Sequence, residues 1–109
     1  MQIKKYLPVL EYVASLSRKK QKEFITHADG NFLKIISEIC YNINKGNLDL
    51  TGSQIKKLRP FRRDIEFLCK KSRSNTQRRH KLQKGGLIFN ILSEVLPLVI
   101  SALFPNLSS

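Results

Sequence analysis

The sequence predicts an all-α protein: a small helical N-terminal bundle, a basic helix and linker, and a C-terminal apolar helix. Three observations carry that reading. Apolar residues recur at three- and four-residue intervals, the helical period, through most of the chain. No stretch alternates with period two for long enough to make a sheet. Turn and cap residues (Ser17, Asp29-Gly30-Asn31, Gly46, Thr51) divide the pattern into pieces of ordinary helix length.

In the first helix, Ile3, Tyr6, Leu7, Leu10, Val13 and Ala14 form one stripe. Pro8 is expected in its first turn, where a missing N–H is tolerated. Ser17 caps a shorter second helix reaching about Ala28, with Phe24 and Ile25 facing inward. Asp29-Gly30-Asn31 reads as a turn, and Asn31 as the N-cap of the third helix. Phe32, Ile35, Ile36, Ile39, Cys40 and Ile43 make the third stripe, which stops at Lys45-Gly46. Thr51 and Gln54 then stand in the S/T-x-x-E/Q arrangement of a capping box. The helix they open puts Leu58, Phe61, Ile65, Leu68 and Cys69 on one face and cations on the adjoining arc. Pro60 kinks or restarts it.

A length of 109 residues allows one domain of normal size, burying roughly two-thirds of the unfolded chain's surface. Twenty Lys+Arg against 8 Asp+Glu give a net charge of +12, and 41% hydrophobic content separates the chain from a disordered polycation. The charge is unevenly placed: residues 51–84 hold 12 basic and 2 acidic groups, whereas 85–109 hold only Glu94. The expected organisation is a helical domain at 1–73, a basic flexible or conditionally helical linker with Gly-Gly at 71–86, and an apolar or amphipathic helix at 87–109.

The basic block suits phosphate. Lys56, Lys57, Arg59, Arg62, Arg63, Lys70, Lys71, Arg73, Arg78, Arg79, Lys81 and Lys84 are its cations. Arginine forks grip phosphate oxygens bidentately and lysine supplies point charge. Without interleaved aromatics or zinc-ligand spacing, the contact expected is sequence-independent.

The apolar tail presents Leu87, Ile88, Phe89, Ile91, Leu92, Val95, Leu96, Leu98, Val99, Ile100, Leu103 and Phe104 around a narrow polar stripe of Asn90, Ser93, Glu94, Pro97 and Ser101. As a helix, residues 87–104 would span about 27 Å, just short of a hydrocarbon core. Three roles compete for it. One is a membrane anchor, against which a mid-segment Glu94 costs about 3 kcal/mol. The others are an interfacial or membrane-lytic helix and a core helix of the bundle. Gly85 and Gly86 read either as a hinge or as an accessible protease site.

Catalysis finds little support. His27, His80, Cys40 and Cys69 form no CxxC or HxxxH pattern, and there is no phosphate-binding glycine loop or carboxylate pair. The chain reads as a non-enzyme without metal or cofactor, its cysteines as buried thiols. Met1-Gln-Ile-Lys-Lys-Tyr carries no secretory signal, so residence in a reducing compartment is expected.

Arg78-Arg-His-Lys-Leu-Gln-Lys-Gly-Gly-Leu-Ile-Phe-Asn-Ile-Leu, with Leu96-Pro-Leu-Val-Ile beyond it, resembles the basic segment, Gly-Gly and Leu/Ile/Pro-rich tail of the adenovirus core protein X (mu) precursor family. Ile39-Cys-Tyr-Asn-Ile-Asn-Lys-Gly-Asn-Leu-Asp-Leu-Thr and Ile55-Lys-Lys-Leu-Arg-Pro-Phe-Arg-Arg are similar to small proteins of the Polinton/Maverick and adintovirus group. The resemblance implies a virion component that condenses double-stranded DNA. It also implies a viral protease acting at Gly-Gly, a membrane surface or capsid protein as partner of the tail, and residence in the virion, with passage through host nucleus or cytoplasm. Two further readings stand beside it: a membrane-active or tail-anchored protein whose basic segment contacts anionic lipid, and a scaffold docking its tail on a structural partner.

Overall fold

The computed structural model describes residues 3–84 and 86–103, with backbone only for Ala102 and Leu103. Gly85, Phe104 and the side chain of Leu103, all named above, lie outside the described residues. The all-α expectation holds: the described residues form seven α-helices and one 3-10 turn, with no strand.

Helix α1 (Ile3–Ser15) buries Ile3, Leu7, Leu10 and Val13, a single stripe at helical spacing. Pro8 lies in its second turn, not its first as expected. The stripe already begins at Ile3, whose burial fixes the turn before the proline, and the ring is left exposed. Ser17 caps α2 (Arg18–His27) by accepting the Lys20 N–H. Gln21, fully buried on α2, donates through Nε2 to the Val13 carbonyl at 2.9 Å, which joins α2 to the end of α1.

Helix α3 (Gly30–Asn44) starts earlier than expected. Asp29, not Asn31, is its N-cap, accepting the Phe32 N–H at 2.8 Å. Asp29 holds the extended backbone that a cap requires, and Gly30 begins the helix. A Cβ on Gly30 would collide with the Asn75 side chain, so its bareness lets α3 approach the start of α6 (Asn75–Leu82). Phe32, Leu33, Ile35, Ile36, Ile39 and Cys40 make α3 the most buried of the early helices, and Gly46, at φ 72°, ends it.

Helix α4 (Gly52–Leu58) begins on the expected capping box, with both reciprocal bonds formed between Thr51 and Gln54. The Pro60 restart is a 3-10 turn at Arg59–Phe61, leading into α5 (Arg62–Leu68). Leu58, Ile65 and Leu68 are buried, and Phe61 and Cys69 half-buried, along the face foreseen for them.

Beyond α5 the structure departs from expectation. The segment expected as a linker contains α6, opened by a second capping box between Ser74 and Gln77. One aliphatic residue, Leu82, suffices because α6 docks with polar groups as well, on α2, α3 and α5. Gly86, at φ 81°, then turns the chain, and α6 and α7 (Leu87–Leu103) meet at 94°. Helix α7 packs against α1, α2 and α4. Leu87, Ile88, Ile91, Leu92, Val95, Leu96 and Val99 are buried in the cluster that also contains Ile3, Leu33, Ile39 and Leu68.

The division into domain, linker and separate tail is thereby corrected: one core runs from Ile3 to Val99. A radius of gyration of 12.9 Å agrees with a single domain, about 13 Å for roughly 100 residues. No single helix among the described residues is long and apolar enough to cross a membrane. Replacing Ile91, fully buried at the middle of α7, by alanine should lower unfolding free energy by about 2–5 kcal/mol in a urea titration. A tail detached from the core would leave the midpoint unmoved.

Candidate nucleic-acid interface

The structure separates the twelve foreseen cations by what each already holds. Lys56, Arg59 and Arg63 are exposed on the continuous run of α4, the 3-10 turn and α5, and Lys70 and Lys71 on the connection that follows. Among the described residues none of these five side chains has an internal partner. Their spacing explains why Lys56, Arg59 and Arg63 share a side: steps of three and four residues keep them on one face, over about 10 Å of helix.

Two more cations are exposed but paired. Lys57 Nζ lies 3.2 Å from Glu94 Oε1 of α7, and Arg62 Nε donates to Glu66 Oε1 at 3.1 Å, one turn along α5. Exposed pairs of this kind are worth about 0–1 kcal/mol, so both groups can be exchanged onto a phosphate.

The remaining five already hold partners inside the fold. The Arg73 guanidinium stacks 3.8 Å from the Phe67 ring centroid, and its Nε donates to the Phe67 carbonyl at 3.3 Å. Arg78 is only 6% exposed and donates to Asn75 Oδ1 at 3.0 Å and to the Lys71 carbonyl at 3.4 Å. Arg79 reaches the C-terminal end of α2, donating to the Ala28 carbonyl and to the Ile25 carbonyl, which also accepts the Ala28 N–H. Lys81 and Lys84 converge on Asp64 of α5, at 3.5 Å and 2.7 Å. Asp64 is 6% exposed, and this one carboxylate draws the last turn of α6 and the residues just beyond it onto α5. A helix with a single aliphatic anchor is thus docked by its charges.

The tail residues fare similarly. Leu87, Ile88, Ile91, Leu92, Val95, Leu96 and Val99 are committed to the core, and Phe89, Leu98 and Ile100 are half-buried. Of the polar stripe, Glu94 pairs with Lys57 and its carbonyl accepts from Gln54 Nε2 at 3.2 Å, whereas Ser93, Pro97 and Ser101 are exposed. Arg18 covers the Phe89 ring at 4.7 Å. Gly86 is half-buried, and its carbonyl accepts from both the backbone and the side-chain amide of Asn90.

Sequence reasoning missed Lys34. It sits in the charge-balanced half, yet α3 brings it beside Lys70, Lys71 and Arg78 around one cleft. Its position off the apolar stripe, four residues before Glu38, was the available signal. Around the cysteines the chemistry is quiet. Burial pushes the Cys40 thiol far up from its ordinary 9.0, and the nearby Cys69 adds to this. Cys69, raised by burial and by Glu66, donates to the Cys40 carbonyl at 3.2 Å and the Ile65 carbonyl at 3.0 Å. Among the described residues no three His, Cys, Asp or Glu side chains gather as a metal set.

Compared with known proteins, the chain matches no family model, no curated protein and no solved structure.

Two outcomes test these roles. Asp64→Asn should cost about 1–3 kcal/mol, less than a fully buried pair because both lysines keep access to water. Above pH 9 the unfolded chain loses thiol protons that the folded protein retains. Stability should therefore fall as pH rises, by up to about 1.4 kcal/mol per unit for the fully buried Cys40, and Cys40→Ala should flatten that slope in urea melts from about pH 8 to 11.

Proposed function

We propose that this protein is a non-enzymatic binder of double-stranded DNA that grips the phosphate backbone without reading sequence. The observation that carries the reading is the group of Lys56, Arg59, Arg63, Lys70 and Lys71, five exposed cations left without internal partners in a block with only two acidic residues. Asp64 and Glu66 are both engaged by other cations, so neither competes with phosphate for these five. Lys57 and Arg62 add to the surface by exchanging weak pairs.

The resemblance to adenovirus core-protein precursors and to Polinton-group proteins gives this binding its setting: a virion component that neutralises packaged DNA. In that setting a capsid protein is the partner of choice over a membrane. The apolar side chains a bilayer would take up are already spent on the core, and releasing α7 would expose seven buried residues at once.

Five phosphate contacts predict a salt slope of about −4.5 and a loss of roughly 500-fold in affinity between 50 and 200 mM salt. In gel shifts with two unrelated duplexes, affinity should agree within about twofold. Replacing Lys56, Arg59 and Arg63 together by alanine should cut the slope by about 3 and leave thermal stability within about 0.5 kcal/mol. No shift at 50 mM salt, or a slope unchanged in the triple variant, would remove the duplex role from this surface.

A further inference from the structure

The densest unsatisfied polarity lies in a cleft of about 480 Å³ between α3 and the α5–α6 junction. Lys34, Glu38 and Tyr41 line it from α3, Lys70 and Lys71 from the connection, and Arg78 from α6. Two buried atoms there have no hydrogen-bond partner: Arg78 Nε and Glu38 Oε2. Arg78 Nη1 donates to Asn75 and Nη2 to the Lys71 carbonyl, so Nε is the one guanidinium nitrogen without a partner, on a side chain more than nine-tenths buried. Buried polar atoms are paired in the great majority of native structures, and two orphans in one cleft call for a shared cause.

The orphans make opposite demands. Arg78 Nε needs an acceptor, and Lys34, Lys70 and Lys71 around it favour an anionic one. Glu38 Oε2 needs a donor. A bare phosphate meets the first demand and is repelled by the second. A ligand with phosphate at one end and N–H donors at the other meets both, and a nucleotide has that build.

Tyr41, 42% exposed, sets an aromatic ring at the rim, with the Lys45 ammonium 5.7 Å from its centroid. The volume is within the range that encloses a small ligand. Both orphan atoms are closed off from water in this state, so binding includes a rotation of the Glu38 and Arg78 side chains toward the open side.

We infer that this cleft seats a single nucleotide unit, its phosphate on Lys70, Lys71 and Arg78 and the N–H edge of its base on Glu38. Guanine fits the carboxylate best, because its pairing edge presents two adjacent N–H donors. The unit is either a free nucleotide or an unpaired position in a nucleic acid strand. The inference shares Lys70 and Lys71 with the duplex reading, so the experiment separates the two.

The full chain is titrated calorimetrically with GMP, UMP, guanosine and inorganic phosphate at 50 mM salt. GMP should bind at least tenfold tighter than each of the others. Glu38→Ala should weaken GMP at least fivefold while duplex affinity holds or rises, since a negative charge is removed. The Lys56, Arg59 and Arg63 triple alanine variant should do the reverse, weakening duplex and sparing GMP. An oligonucleotide that displaces GMP only when its guanosine is unpaired identifies the strand as the source, and no displacement identifies the free nucleotide. GMP binding no tighter than inorganic phosphate, or unaffected by Glu38→Ala, overturns the inference and leaves the duplex reading standing.

Discussion

The burial of α7 is the constraint on which the rest of the molecule depends. Helices α1 and α3 are amphipathic, each with one apolar stripe, and a 109-residue chain with 20 basic residues has little apolar surface to spare. Helix α7 is apolar around most of its circumference and supplies the wall against which α1, α2 and α4 close. Its polar stripe meets α4 at Glu94, where Gln54 and Lys57 receive it, and faces water at Ser93, Pro97 and Ser101. Removing α7 would leave those stripes facing water, so the helix that looks most separable is the least so.

A second layer of order is electrostatic. A cationic block folded upon itself would ordinarily repel, yet five of its twelve cations are drawn inward by carbonyls, aromatic faces and one carboxylate. Arg79 closes the end of α2, Arg73 lies on Phe67, and Asp64 answers both Lys81 and Lys84. What remains on the outside is a smaller, better defined set than net charge alone suggests. Composition counts every cation equally, whereas a polyanion meets only those the fold has not already satisfied.

Legibility in the sequence follows the range of the interactions involved. Local devices are readable: the stripes of α1 and α3, the Ser17 cap, the Thr51–Gln54 box, the Pro60 restart and the Gly46 stop all act within one or two turns. The same local grammar is present at Ser74-x-x-Gln77, but a single aliphatic residue amid a polar run outweighs it. Helix α6 is held by partners 17 to 54 residues away in sequence, such as Asp64 for Lys81 and Ile25 for Arg79, which no local pattern announces. For the same reason the role of each cation is not readable. Arg59 and Arg79 look alike in a list of basic residues and differ only in what stands opposite them. The tail is legible as a helix, but its environment is a property of α1, α2 and α4 jointly.

The bend at Gly86 carries a consequence for the chain's covalent integrity. Its left-handed backbone lies between two docked helices, with its carbonyl held by Asn90 and the Phe61 ring nearby. Scission at this joint needs a local opening of the α6–α7 corner to present an extended strand. Once cut, the two pieces would remain a single particle, because the seam between them is the protein's own interior. What changes is the order of the reaction: docking of α7 becomes bimolecular, loses the effective concentration its tether provided, and turns dilution into a way of taking the molecule apart.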